Sequence, residues 1–135
     1  MTINNDPKLY PFMLAPEFVQ LLNQLLTDKA KDTQDGVIFN FRDPRYSPEN
    51  GGFHPVEISI SAEGVLQYVT DFAYCGVPPM AELVKELDFD FSLGIFQQFG
   101  REQEIAVSQG LFALYARNFC AYHDMGVYEV SITPL

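Results

Sequence analysis

Phe18, Leu21, Leu22, Leu25 and Leu26 recur at i, i+3, i+4, i+7 and i+8, the spacing that lines one face of an α-helix with apolar side chains. Pro16 suits the first turn of such a helix and Glu17 its positive end, so the pattern predicts a helix from Pro16 to about Asp32. The period then shortens. Val37–Phe41 is a β-branched and aromatic run, and Val56, Ile58 and Ile60 alternate with Glu57, Ser59 and Ser61, the two-residue repeat of a half-buried strand. Ala62-Glu63-Gly64 turns the chain into a second long strand, Val65–Tyr74, with Leu66, Tyr68, Phe72 and Tyr74 on one side. Such a short turn between alternating runs predicts an antiparallel hairpin.

Residues 82–91 fit both periods. Leu83, Val84 and Leu87 match a helical turn, whereas the ending Asp88-Phe89-Asp90-Phe91 favours a strand over at least Leu87–Phe91, because Asp is a poor helix former. Ser92–Gly100 has no clear period. Ile105, Leu111, Phe112, Tyr115, Phe119 and Tyr122 return near a 3.6 repeat and predict a second helix over Gln103–Asp124, stopped at Gly126. Gly110 inside it costs about 1 kcal/mol relative to Ala and points to close packing against the sheet. Val127–Thr133 closes the chain as a strand, and Pro7 and Pro11 make residues 1–15 an irregular arm partly packed down by Tyr10, Phe12, Met13 and Leu14. Assembled, these elements predict a single α+β domain over residues 1–135, an antiparallel sheet of four to five strands with two amphipathic helices packed on one face. Phe39, Phe41, Phe72, Phe89, Phe91, Phe112 and Phe119 are the expected core. Phe96 and Phe99, flanking Gln97 and Gln98, are an alternative partner-facing patch.

Composition changes this picture in its choice of partners. Apolar residues at 47% exclude a disordered chain. Eight Lys and Arg against 18 Asp and Glu leave a net charge of −10, too few cations for direct nucleic-acid binding or docking on an anionic membrane. No apolar run nears the roughly 18 residues of a membrane span, and the first residues lack the basic start and apolar stretch of a secretory leader, so the expected compartment is the cytoplasm. The acidity reads as solubility or, more sharply, as a surface aimed at a basic protein partner. Cys75 and Cys120 stand in no metal-ligand spacing. They read as small buried thiols, with a disulfide between them left open, and neither a metal nor a cofactor is expected. No pattern encodes an oligomeric state.

Candidate chemistry gathers in the loop after the first strand, which holds Arg42, Asp43, Arg45, Tyr46, Glu49 and His54. Two arginines beside a Tyr and a His could grip a carboxylate or phosphate by forked hydrogen bonds. The alternative is a self-satisfied loop, with Asp43 and Glu49 pairing Arg42 and Arg45 and with Gly51-Gly52 freeing the backbone. No Ser, Cys or Asp stands at a recognised catalytic spacing to His54 or His123, and the common nucleophile, zinc, phosphate-loop and dinucleotide motifs are absent. Catalysis would need a pocket joining His54 to an Asp or Glu. Glu82, Glu86, Asp88 and Asp90 would share one strand face, as a solvated surface, a divalent-cation site or a mimic of phosphate spacing.

Four strings, Phe39–Ser47, Gly51–Ile58, Thr70–Tyr74 and Leu87–Phe91, resemble an uncharacterised bacterial family, domain of unknown function 2787. The resemblance runs from about residue 37 to the C-terminus. It implies a bacterial, cytoplasmic setting and transfers no activity and no site residue. The expected role is a small acidic binding or interaction module without catalytic activity, contacting a protein or a small polar ligand through the Arg42–His54 loop and adjoining sheet. The alternatives are an acidic nucleic-acid mimic or inhibitor of a basic protein, and a small-molecule enzyme using that loop.

Overall fold

Pro16 and the Leu-rich stripe place the first helix where their spacing directs it. In the computed structural model, which describes residues 1–135, α1 spans Pro16–Lys29 and buries Phe18, Val19, Leu22, Leu25 and Leu26. It ends short of Asp32 because Ala30 leaves helical geometry, its N–H making the last bond back to Leu26. Seven strands follow: β1 Val37–Arg42, β2 Val56–Ile60, β3 Leu66–Cys75, β4 Glu82–Asp90, β5 Ile95–Gln98, β6 Arg101–Glu104 and, after α2 Gln109–Asp124, β7 Glu129–Pro134. They form one antiparallel sheet in the order β6-β5-β4-β3-β2-β1-β7.

The expectation of four to five strands is therefore wrong: the sheet has seven, and strands dominate the chain. Two strands were hidden in residues 92–104. β6 reads Arg-Glu-Gln-Glu and is exposed at every position, so it carries no apolar alternation, and the hairpin turn between β5 and β6 rests on the positive φ of Phe99 and Gly100. The second helix accordingly begins at Gln109 rather than Gln103, after a 3-10 turn over Ile105–Ser108. Gly110 packs against nothing, since a β-carbon there would meet no atom within 4 Å.

Residues paired directly across strands share a face. Ile132, Phe39, Ile58, Val69, Phe89 and Phe96 make one row across the sheet. Both helices cover it: Phe112 of α2 meets Phe18 of α1 and Phe89 of the sheet, and Phe119 meets Phe18 and Phe41. Val56, Ile58 and Ile60 are buried there as their alternation requires. The neighbouring row, Asn40, Glu57, Thr70, Asp88 and Gln97, takes the other face.

Two bulges break strict alternation. Gln67 is an extra residue opposite the Ser59/Ile60 step, so Leu66 turns inward while Tyr68 does not. Phe72 is in consequence only half-buried and lies outside the core expected for it. Glu86 is an extra residue opposite the Asp71/Phe72 step. The N-terminal arm is stitched to the β2–β3 turn: Asn4 N–H donates to Gly64 O at 2.8 Å, and Tyr10 Oη accepts from Leu66 N–H at 3.0 Å.

Candidate functional site

β3 outruns β2. Its register with β2 begins at the Val56–Asp71 pair, so residues 72–75 have β4 on one side and no strand on the other. The 43–55 loop fills that gap. Pro55 O accepts the Phe72 N–H at 2.9 Å, and Tyr46 Oη accepts the Tyr74 N–H at 2.9 Å. The Tyr46 ring stacks on Tyr74 at 5.1 Å and lies 5.2 Å from the His54 ring. Asp43 holds the loop from within, its carboxylate accepting from Phe53 N–H at 3.1 Å and Arg45 N–H at 3.0 Å. Those backbone donors, Phe53 first, pull its carboxyl below the usual range.

The loop thereby delivers His54 to two carboxylates. His54 Nδ1 lies 3.0 Å from Asp71 Oδ1 and 2.9 Å from Glu86 Oε2. Asp71 points to the helix side because it is paired with buried Val56. Glu86 reaches the same point because the bulge displaces it from its strand's alternation. The Asp71 hydrogen bond, opposed by burial and helped by both carboxylate charges, raises the imidazole above its ordinary 6.5. A pair that raises the folded-state value stabilises the fold fully below about pH 6.5, and that contribution fades as pH climbs through the raised value.

Above this cluster opens a cavity of about 410 Å³, floored by His54, Asp71 and Glu86 and walled by Phe53 with Tyr115, Asn118, Phe119 and Tyr122 of α2 and with Tyr128. Phe53 and Tyr122 rings meet at 4.6 Å. Tyr115 Oη is buried in this wall without a hydrogen-bond partner, and burial, then the Asp71 charge, pushes its phenol well above the ordinary value. Two carboxylates thus converge on one imidazole nitrogen at the base of an aromatic-walled hollow, an arrangement able to hold a polar head or a cation.

The residues singled out in the sequence divide. Tyr46 and His54 belong to this site, and Asp43 supports it. Arg42 is exposed at the end of β1 with no ion pair, Glu49 is exposed without a partner, and Arg45 folds back on Asp43 at 3.5 Å. Of the expected pairing of Asp43 and Glu49 with Arg42 and Arg45, the structure has one contact, Arg45 with Asp43; Arg42 and Glu49 take no part. The acidic residues do not form one ridge. Glu82 is exposed at the start of β4, and Glu86 turns to His54. Asp88 is buried, accepts from Thr70 Oγ1 at 2.8 Å and is raised by that burial. Asp90 caps the next turn through Ser92 Oγ and Leu93 N–H. His123 lies elsewhere, its ring 6.4 Å from Phe41. Both cysteines are free, and burial pushes Cys120 up to about 11. Asp71 and Tyr115 belong to the site and stand in no sequence motif that marks them for it. The available signal was an acid at an inward register, between Val69 and Ala73 on β3.

The family described as "Protein of unknown function (DUF2787)" matches residues 16–133. Among solved structures, the chain is similar to the hypothetical protein VC0508 from the VSP-II pathogenicity island of Vibrio cholerae. The two are 37% identical with a TM-score of 0.79, over 92% of this chain and 96% of that one. It is also similar to the conserved hypothetical protein VC1805 from pathogenicity island VPI-2 of Vibrio cholerae. There the identity is 36% and the TM-score 0.76, over 89% of this chain and 94% of that one, and that protein is described as sharing structural homology with the human P32 protein. No curated protein matches the chain. No helix is long and apolar enough to cross a membrane.

Proposed function

Since the chain belongs to the DUF2787 family, whose description assigns no reaction, we propose its role from its own cavity: a binding module that takes one small polar molecule between α2 and the sheet. The observation that supports this reading is the convergence of His54, Asp71 and Glu86 beneath aromatic walls, in a hollow of about 410 Å³. Small-molecule sites have this make-up, a mostly apolar concavity of about 300–1,000 Å³ with a few convergent polar groups. The ligand's polar group meets the cluster, and its body packs against Phe53, Phe119 and Tyr122. Tyr46 and Asp43 serve the site indirectly by keeping the loop seated on the β3 edge. The phosphate-mimic reading of the acidic residues draws no support from a row that the Glu86 bulge splits.

Thermal unfolding against a panel of small amines, carboxylates, sugars and nucleosides tests the proposal. At about 100 times its Kd a ligand stabilises the fold by about 2.7 kcal/mol, a clear rise in Tm. Asn118 is an exposed residue at the rim of the cavity. Asn118→Trp is expected to abolish that rise while leaving the Tm of the free protein within a few degrees. A panel without a hit, or a hit that stabilises Asn118→Trp equally, would overturn the reading.

A further inference from the structure

We propose that His54, Asp71 and Glu86 are the three protein ligands of a divalent transition-metal site of the zinc class, with a coordination position open to the cavity. The inference rests on reading the cavity as a binding site, and it names what sits at its floor. The three ligand atoms all lie within 4.8 Å of one another and come from three separate segments, the loop, β3 and the β4 bulge. Their spacing suits an ion. Two ligand atoms each about 2.0–2.1 Å from a metal stand roughly 2.8–3.4 Å apart at octahedral to tetrahedral angles, and the imidazole nitrogen lies 3.0 and 2.9 Å from the two carboxylate oxygens.

Hydrogen bonding alone accounts poorly for this geometry. Nδ1 can carry one proton, and only the Asp71 contact is aligned as a hydrogen bond. Glu86 approaches as closely with no proton directed at it. A divalent ion in place of that proton engages all three atoms at once and matches the two carboxylate charges. Tyr115 Oη, buried in the wall of the same cavity, makes no hydrogen bond of good geometry and lies close enough to Asp71 to feel its carboxylate, so with Asp71 turned to an ion this hydroxyl is available to a water or ligand oxygen. The donor set selects the ion. One imidazole with two carboxylates suits zinc and its transition-metal neighbours, whereas calcium and magnesium prefer oxygen donors alone, with calcium taking six or more. With the ion bound the floor of the cavity turns from anionic to neutral. The small molecule it then selects carries a carboxylate or carbonyl oxygen to complete the coordination.

Calorimetric titration of chelator-treated protein with zinc chloride tests this. The expected result is one site per chain with micromolar or tighter affinity, a loss of at least 100-fold in the double variant Asp71→Asn/Glu86→Gln, and no comparable binding of magnesium. Circular dichroism of the double variant, whose replacements keep side-chain shape, verifies that it folds. Zinc binding that is weaker than millimolar, or equal in the folded double variant, overturns the proposal. The two readings fail separately. If zinc does not bind but an organic molecule stabilises chelator-treated protein and not Asn118→Trp, the metal site falls and the cavity reading stands. If zinc binds at these residues and no organic molecule stabilises the zinc-loaded protein, the metal site stands and the cavity reading falls.

Discussion

Phe112→Ala is expected to lower stability by about 3–5 kcal/mol, the usual cost of removing a buried Phe from a core that cannot fully collapse around the gap. The ring is 2% exposed and meets four other aromatics, Phe12 of the arm, Phe18 of α1, and Phe89 and Phe91 of the β4 end. No other side chain ties the arm, both helices and the sheet together through so many rings. A domain is commonly stable by only about 5–15 kcal/mol, so the urea midpoint should fall by roughly a fifth at the least. Leu114→Ala, two residues along the same helix at a site 53% exposed, should stay within about 0.5 kcal/mol. Equal losses in the two variants would mean that α2 does not lie on the sheet by the face described here.

The second large effect is expected at Gly52, where the argument concerns backbone rather than core. Its φ is +134°, and an added β-carbon would sit 2.9 Å from Tyr46 Cα and 3.1 Å from Asp43 Oδ2. Side chains tolerate such backbone only at a cost on the order of 1–3 kcal/mol. The backbone of Tyr46 cannot step aside without lifting its ring from His54 and Tyr74. Together, strain and overpacking put the loss for Gly52→Ala on the order of 3 kcal/mol, with loss of any ligand-induced rise in Tm. Gly51 supplies the comparison. Its φ is +68°, and a β-carbon there would meet nothing within 4 Å, so Gly51→Ala should cost only about 1–2 kcal/mol and leave the cavity working. Thermal unfolding of both variants, alone and with a cavity ligand, checks the pair.

The sequence was legible where one face of an element is apolar and the other is wet. The Phe18–Leu26 stripe and the Val56, Ile58, Ile60 alternation each report a single buried face, and both lie where the period puts them. It was illegible where that contrast fails. β6 has no buried residue, and a strand whose two faces are both polar leaves no alternation to read. The bulges at Gln67 and Glu86 shift the face of the residues beyond them, and no local pattern announces a bulge. The shift at Glu86 explains both the broken acidic ridge and the site. Glu82, Glu86, Asp88 and Asp90 share a face on an ideal strand, and the displaced Glu86 instead meets a histidine 32 positions earlier and an aspartate 15 positions earlier in the chain. The Arg42–His54 loop was recognisable as dense in polar chemistry. Its arginines stand outside the site and His54 inside it, and nothing in residue spacing shows that Asp43 would turn inward and accept the loop's own N–H groups.

The account depends on His54 being clasped by Asp71 and Glu86 beneath α2, and titration of its imidazole by two-dimensional NMR in chelator-treated, metal-free protein measures that directly. A midpoint above the ordinary 6.5 that falls in Asp71→Asn is the predicted result. A midpoint at or below 6.5, unmoved by Asp71→Asn in a folded protein, would mean that the imidazole titrates free of these carboxylates, and the site described here would not exist.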